Sequence, residues 1–183
     1  MEIFLAIVIG LAFGAALDRV GATNPNRIIG MLNLTDLRLM KTIFLAIGIG
    51  AVLTFAGQMA GLVDVGHMSV KTAHLGVLLG GLIFGAGFAV AGYCPGTGLA
   101  AAATGRRDAL SFVFGGLVGA GVYTAVHEAV AATGALAPWV GGKTTLGAVP
   151  GADWPALVPG LPGDWAGIGL GLVMIAVAFV LPE

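Results

Sequence analysis

Charge is what this chain has least of. Asp, Glu, Lys and Arg together make up 9% of its 183 residues against 58% hydrophobic side chains, and the mean hydropathy is +1.02. So little polar surface cannot coat a soluble globule of this size, so the chain is expected to be an integral membrane protein with no soluble domain to carry a conventional enzyme active site. Cysteine is nearly absent too. With Cys94 alone no intramolecular disulfide can form, and the redox compartment is not legible from the count. Cations are missing ahead of the first apolar stretch, where Glu2 is the only charge. A secretory signal needs Lys or Arg there, so this stretch reads as permanent structure. His67 and His74 have no acid or thiol at ligand spacing, so neither a metal site nor a cofactor is expected. Nucleic acid is not an expected partner.

What the chain does have is apolar length. Five stretches, Ile3 to Leu17, Thr42 to Val63, Leu75 to Gly92, Ala109 to Thr133 and Ala166 to Leu181, alternate with the segments that hold most of the charges. A crossing takes roughly 20 residues, and the first and last stretches fall slightly short of that. The expected architecture is all-α and polytopic, about five transmembrane helices in a single membrane domain over residues 1–183. Six of the 8 cations lie in two connections: Arg19, Arg27, Arg38 and Lys41 in one, Arg106 and Arg107 in the other. The excess of positive charge on cytoplasmic loops therefore puts the N-terminus outside and the C-terminus inside a bacterial inner membrane.

A duplication organises the chain. Gly10, Phe13, Gly14, Ala15 and Gly21 recur 71 residues later as Gly81, Phe84, Gly85, Ala86 and Gly92, and the register continues from Gly48 and Gly50 to Gly119 and Gly121. Repeat unit one covers about 3–63, unit two about 75–133, and a final helix about 166–181. Each unit reads as an apolar helix, a polar break, a short weakly apolar piece and a longer helix. The first break runs from Asp18 to Asn26, with Ile28 to Leu32 as its short piece. The second runs from Tyr93 to Thr97, with a brief helix expected from Gly98 to Ala103. Pro95 lacks a backbone donor, so regular helix must stop there. Irregular backbone at membrane depth is tolerated only where protein or a water-filled cavity surrounds it. Glycines four residues apart, such as Gly10 and Gly14, Gly81 and Gly85, Gly115 and Gly119, or Gly167 and Gly171, let helix backbones approach closely. The Gly- and Pro-rich segment from Gly134 to Asp164, with Trp139, Trp154 and Trp165, reads as an extracytoplasmic loop whose indoles sit at headgroup level.

The second break is the expected site. A cysteine at a helix break, followed at once by a short helix, sets a polarizable sulfur beside backbone N–H groups without intrahelical partners, which favour an anion. Thr97 adds a hydroxyl, Tyr93 flanks the thiol, and Gly96 and Gly98 let a ligand approach the main chain. In the constant register Thr23 falls opposite Cys94, and Asn24 follows it. Two breaks facing each other would make a constriction lined by these residues, the arrangement in which repeat-built transporters bind substrate. His127 and Glu128, near the outer end of the fourth stretch, are candidates for proton coupling, since ionisable residues inside a membrane are functional by default; an interfacial position serves them equally.

The segment GFAVAGYCPGTGLA, Gly87 to Ala100, resembles the signature of the sulfur-transport (YeeE/YedE) membrane protein family, and Phe13 to Met31 resembles that family's first-half motif. The resemblance runs over essentially the whole chain, as a half-length member. It implies uptake of a small sulfur-containing anion, thiosulfate-like, with Cys94 as a pathway cysteine and Thr23 where a second cysteine is expected. It also implies pairing, with a related half-length membrane protein or with itself, because longer members hold two such units. A non-enzymatic transporter is the first expectation. The alternative is a sulfurtransferase-like role in which Cys94 holds a persulfide for a cytosolic sulfur carrier, chemistry open to an exposed low-pKa thiol.

Overall fold

The computed structural model describes residues 1–65, 69–139 and 142–182. Its elements are α1 (Glu2–Arg19), α2 (Pro25–Leu32), α3 (Arg38–Met59), α4 (Leu75–Ala91), α5 (Pro95–Ala103), α6 (Arg107–Ala132), β1 (Thr145–Ala148), β2 (Ala156–Pro162) and α7 (Gly163–Val180). The protein is an all-α polytopic membrane protein. Among the described residues four stretches are long and apolar enough to cross a bilayer: Arg38–Met59, Leu75–Ala103 through the second break, Arg107–Ala132 and Gly163–Val180. The remaining long helix, α1, has 18 residues but carries Glu2, Asp18 and Arg19 at its ends. Helix surfaces are crowded with exposed Leu, Ile, Val and Phe side chains, as a lipid environment requires.

Both short helices start earlier than the sequence suggests, at Pro25 and Pro95 rather than at Ile28 and Gly98. The cause is the same in each. Proline at the first helical position costs nothing, because that N–H has no intrahelical acceptor and the ring presets φ. A feature absent from the expectation is the two-stranded parallel pairing of β1 with β2, Thr145 opposite Ala156 and Gly147 opposite Val158, with an irregularity before Ala148 pairs with Pro162. This pairing lies inside the segment read as a plain loop.

The chain divides into two compact units. Unit 1 comprises residues 1–39 and 81–129, and unit 2 residues 40–80 and 130–182. Each therefore draws on both halves of the duplication. In unit 1 most buried side chains gather at the breaks and the short helices, Ala22, Thr23, Ile28, Met31, Tyr93, Thr97 and Ala101, with Leu39 at the start of α3 and Ala109 at the start of α6. In unit 2, α3 and α7 run antiparallel in close approach. A Cβ on Gly171 would meet the Gly48 carbonyl oxygen at 2.9 Å and Val52 at 2.9 Å, and one on Gly167 would collide with the Phe55 ring. This glycine pair serves packing within the chain. Gly10, Gly14, Gly81, Gly85, Gly115 and Gly119 meet nothing within 4 Å.

Gly171→Leu is expected to lower stability by about 1–3 kcal/mol through overpacking against α3, whereas Gly50→Leu, at a position with nothing within 4 Å, is expected to be neutral. Thermal unfolding of the two variants in detergent checks the contrast, and equal melting shifts would contradict it.

Candidate functional site

The two breaks are built alike. Each leading helix ends at a left-handed glycine, Gly21 at φ +77° and Gly92 at φ +68°, a conformation that a Cβ penalises by about 1–2 kcal/mol. After Gly21 the N–H of Ala22 returns to the Leu17 carbonyl at 2.9 Å, closing the helix end. Each short helix then opens on a capping side chain followed by proline: Asn24 with Pro25, and Cys94 with Pro95. The Asn24 side chain accepts from the Asn26 N–H at 3.1 Å. By cap geometry the counterpart of Cys94 is thus Asn24 rather than Thr23. One extra residue separates Gly21 from its cap, so the constant sequence register slips by one at this point. Thr23 is buried, and its hydroxyl donates to Asp18 Oδ1 at 2.8 Å.

Cys94 sits in a capping box. Its N–H donates to Thr97 Oγ1 at 3.0 Å, and the Thr97 N–H donates to Cys94 Sγ at 3.4 Å. Sγ and Oγ1 lie 3.2 Å apart, and the Thr97 hydroxyl reaches the Cys94 carbonyl at 3.2 Å. A hydroxyl at N3 does here what a Glu does in the common version, reciprocally satisfying orphan donors of the helix start. The thiol is partly buried, and Thr97 is buried. Pro95 has no N–H, so the donor left over in this first turn is that of Gly96, which is exposed and has open space where a Cβ would stand.

Tyr93 anchors the break to the start of α6. Its ring is 2% exposed and lies 5.7 Å from that of Phe112, tilted by 48°. Its hydroxyl donates to Asp108 Oδ2 at 2.9 Å and accepts from Arg106 Nε at 2.9 Å, while Arg106 and Asp108 pair at 2.8 Å. The hydrogen bond to Asp108, opposed in part by burial and assisted by that to Tyr93, holds the Arg106 guanidinium above its ordinary value. Read from the sequence, Arg106 counted only among the cations of a cytoplasmic connection, and this cluster was missed. Nothing in local spacing links Arg106 or Asp108 to Tyr93. Gly98 completes the corner: a Cβ there would meet the Phe112 ring at 2.5 Å.

The structure brings the two breaks together. A Cβ on Gly92 would stand 3.0 Å from Pro25 Cβ and 3.3 Å from Ile29 Cγ1, so the second break lies directly on the start of α2. Beside this contact α1 and α5 enclose a mostly apolar groove of about 640 Å³, walled by Gly10, Phe13 and Gly14 on one side and Gly96, Leu99 and Ala100 on the other, with Asp18 as its ionisable residue. Of the expected pathway residues, Gly96 lines this groove; Cys94, Thr97 and Gly98 hold the turn behind it. His127 and Glu128 are exposed on α6, where the His127 ring stacks on Tyr123 at 5.6 Å. They join neither break. His67 lies outside the described residues, and among those described no group of three His, Cys, Asp or Glu residues could hold a metal ion.

Paired helix breaks within an all-α membrane domain define the class of this protein. It belongs to the family described as a family of unknown function, DUF6691, whose model matches residues 1–135. The chain is 28% identical over 117 residues to a protein of Xylella fastidiosa strain Temecula1 called "Probable transporter", the match covering 60% of this chain and 79% of that one. The corresponding "Probable transporter" of strain 9a5c is also 28% identical over 117 residues, 60% of this chain and 80% of its own length. No solved structure matches the chain.

Tyr93→Phe removes two hydrogen bonds, one to a charged donor and one to a charged acceptor, and is expected to cost about 2–4 kcal/mol, with faster amide exchange between Tyr93 and Asp108. Gly92→Ala is expected to lose at least the 1–2 kcal/mol of its left-handed backbone. Thermal unfolding and hydrogen exchange in detergent read both, and an unchanged Tyr93→Phe variant would remove the cluster from the account of the break.

Proposed function

We propose that this chain is a membrane transporter for a small sulfur-containing anion of the thiosulfate type, which passes the paired breaks in transient contact with Cys94. The observation that carries this reading is the meeting of the breaks: Gly92 lies on Pro25 and Ile29, with a thiol capping one short helix and an amide capping the other. An anion is favoured by the chemistry of the turn. The Gly96 N–H and the positive end of α5 attract negative charge, and a sulfur atom is a polarizable neighbour for a sulfane group. The transporter class is supported by the two relatives called "Probable transporter", and the sulfur cargo by the resemblance of Gly87 to Ala100 to the YeeE/YedE signature. The Asn24 side-chain N–H group supplies a donor where the resemblance expects a second thiol, which serves an oxyanion rather than a sulfur–sulfur contact, while the Thr23 hydroxyl is given to Asp18.

The working transporter on this reading holds two such chains, a second copy or a related half-length partner, in the bacterial inner membrane with the basic connections in the cytoplasm. The open glycine faces of α4 and α6 suit close helix contact in that assembly. Exposure of labelled thiosulfate to proteoliposomes holding the protein tests the reading. Uptake is expected to fall at least about tenfold in Cys94→Ser, the loss of roughly 1.4 kcal/mol of stabilisation along the path. Undiminished uptake in a folded Cys94→Ser variant would remove the thiol from the mechanism.

A further inference from the structure

We infer that Arg106 and Asp108 are positioning residues for Cys94: acting through the Tyr93 hydroxyl, they hold the thiol-bearing break in place and set how freely its sulfur is reached. This role deepens the proposed function of the same break. It rests on the transporter reading only where uptake is concerned.

In both breaks the residue ahead of the cap is buried and its hydroxyl is bonded to an aspartate. Thr23 precedes Asn24, is 8% exposed and donates to Asp18 Oδ1 at 2.8 Å. Tyr93 precedes Cys94, is 2% exposed and donates to Asp108 Oδ2 at 2.9 Å. The two acids stand in different places. Asp18 belongs to α1, the helix that runs into its own break, so the first bond closes a local turn. Asp108 lies in the first turn of α6, so the second bond ties the break to the helix that follows α5. Among the described residues only this second bond is joined by a cation. Arg106 Nε donates to the phenol oxygen at 2.9 Å and to Asp108 Oδ1 at 3.2 Å, and its Nη2 donates to Asp108 Oδ2 at 2.8 Å.

Three attachments hold the peptide from Gly92 to Cys94. Gly92 lies on Pro25 and Ile29 of the first break, Cys94 is held by Thr97, and Tyr93 between them is held by its ring and its hydroxyl. The hydroxyl leads outward to charges that face water, with 38% of the Arg106 side chain and 50% of that of Asp108 exposed. An exposed ion pair by itself contributes little to stability. Here the pair grips a buried phenol as donor and as acceptor, which fixes the ring and the backbone on either side of it. The residues joined to Tyr93 are the contact with the first break and the thiol, so a shift of Tyr93 moves both. Phe112 packs on the ring at 5.7 Å, a contact that Tyr93→Phe keeps. That substitution therefore removes the hydroxyl bonds and leaves the packing.

Labelling of Cys94, the sole cysteine, by the small neutral reagent methyl methanethiosulfonate reads the role on the full chain in lipid vesicles. Tyr93→Phe and Asp108→Ala are each expected to speed labelling at least about tenfold, the effect of losing one hydrogen bond to a charged group. The double variant is expected to go no faster, because both changes act through one hydroxyl. Arg106→Gln serves as a second partner in the same cycle. Asp108→Asn, which keeps an acceptor for the phenol, is expected to return the rate toward wild type. Gly171→Leu, destabilised in unit 2, is expected to label as wild type does, which separates positioning from a general loosening of the fold. Single-variant effects that multiply in the double variant would overturn the inference, as would an Asp108→Asn rate equal to that of Asp108→Ala, equal acceleration in Gly171→Leu, or wild-type rates throughout. Thiosulfate protection is read separately. If the substitutions change the labelling rate as expected while added thiosulfate changes none of the rates, the positioning role stands and the transporter reading fails.

Discussion

Everything in unit 1 depends on how the chain interrupts a helix without leaving backbone polar groups unsatisfied in a medium that offers no water. The solution appears twice: a left-handed glycine ends the incoming helix, a side chain caps the next, and proline takes the first helical position. At the second break the cap is a thiol, and Thr97 closes it from the other side. That arrangement consumes most of the local donors and acceptors. What it leaves open is the Gly96 N–H and an apolar groove, with the partly buried thiol in the turn behind them, a combination that presents chemistry without a charged side chain at the cap itself.

Packing follows from the same constraint. The buried residues of unit 1 cluster at the breaks, not along the helices, because the breaks are where irregular backbone has to be covered by protein. Tyr93 does much of that covering, and the Arg106–Asp108 pair holds its hydroxyl. In unit 2 the close contact of α3 and α7 through Gly48, Gly167 and Gly171 does the corresponding work. The duplicated glycines that meet nothing within the chain mark surfaces of a different kind, smooth enough for lipid or for another helix.

Much of this was legible in the residues. The apolar stretches gave the long helices to within a few positions, and Gly92, Cys94 and Pro95 announced the break and its place. The starts of the short helices were misplaced through one residue type: Pro95 was read as the point where regular helix stops, whereas it is the first residue of α5, and Pro25, inside the first break, likewise begins α2. That error shifted the starts of α2 and α5 and hid the equivalence of Asn24 with Cys94, since a constant offset cannot register one additional residue in a turn. The β1–β2 pairing escaped because its strands are short and rich in Gly and Pro, with no alternation to betray them. The role of Tyr93 with Asp108 depends on a contact between residues distant along the chain. Composition and periodicity carry no record of such contacts.

The central claim is that the paired breaks form a path reached by water and by a small anion, with the lone thiol beside it. Because Cys94 is the sole cysteine, its reaction with a small, membrane-impermeant, negatively charged methanethiosulfonate reads that claim without mutation. The account predicts that intact protein in lipid vesicles is labelled at Cys94 and that added thiosulfate slows the labelling. A thiol that ignores the charged reagent from both faces of the membrane, yet reacts with a lipid-soluble maleimide, would contradict it.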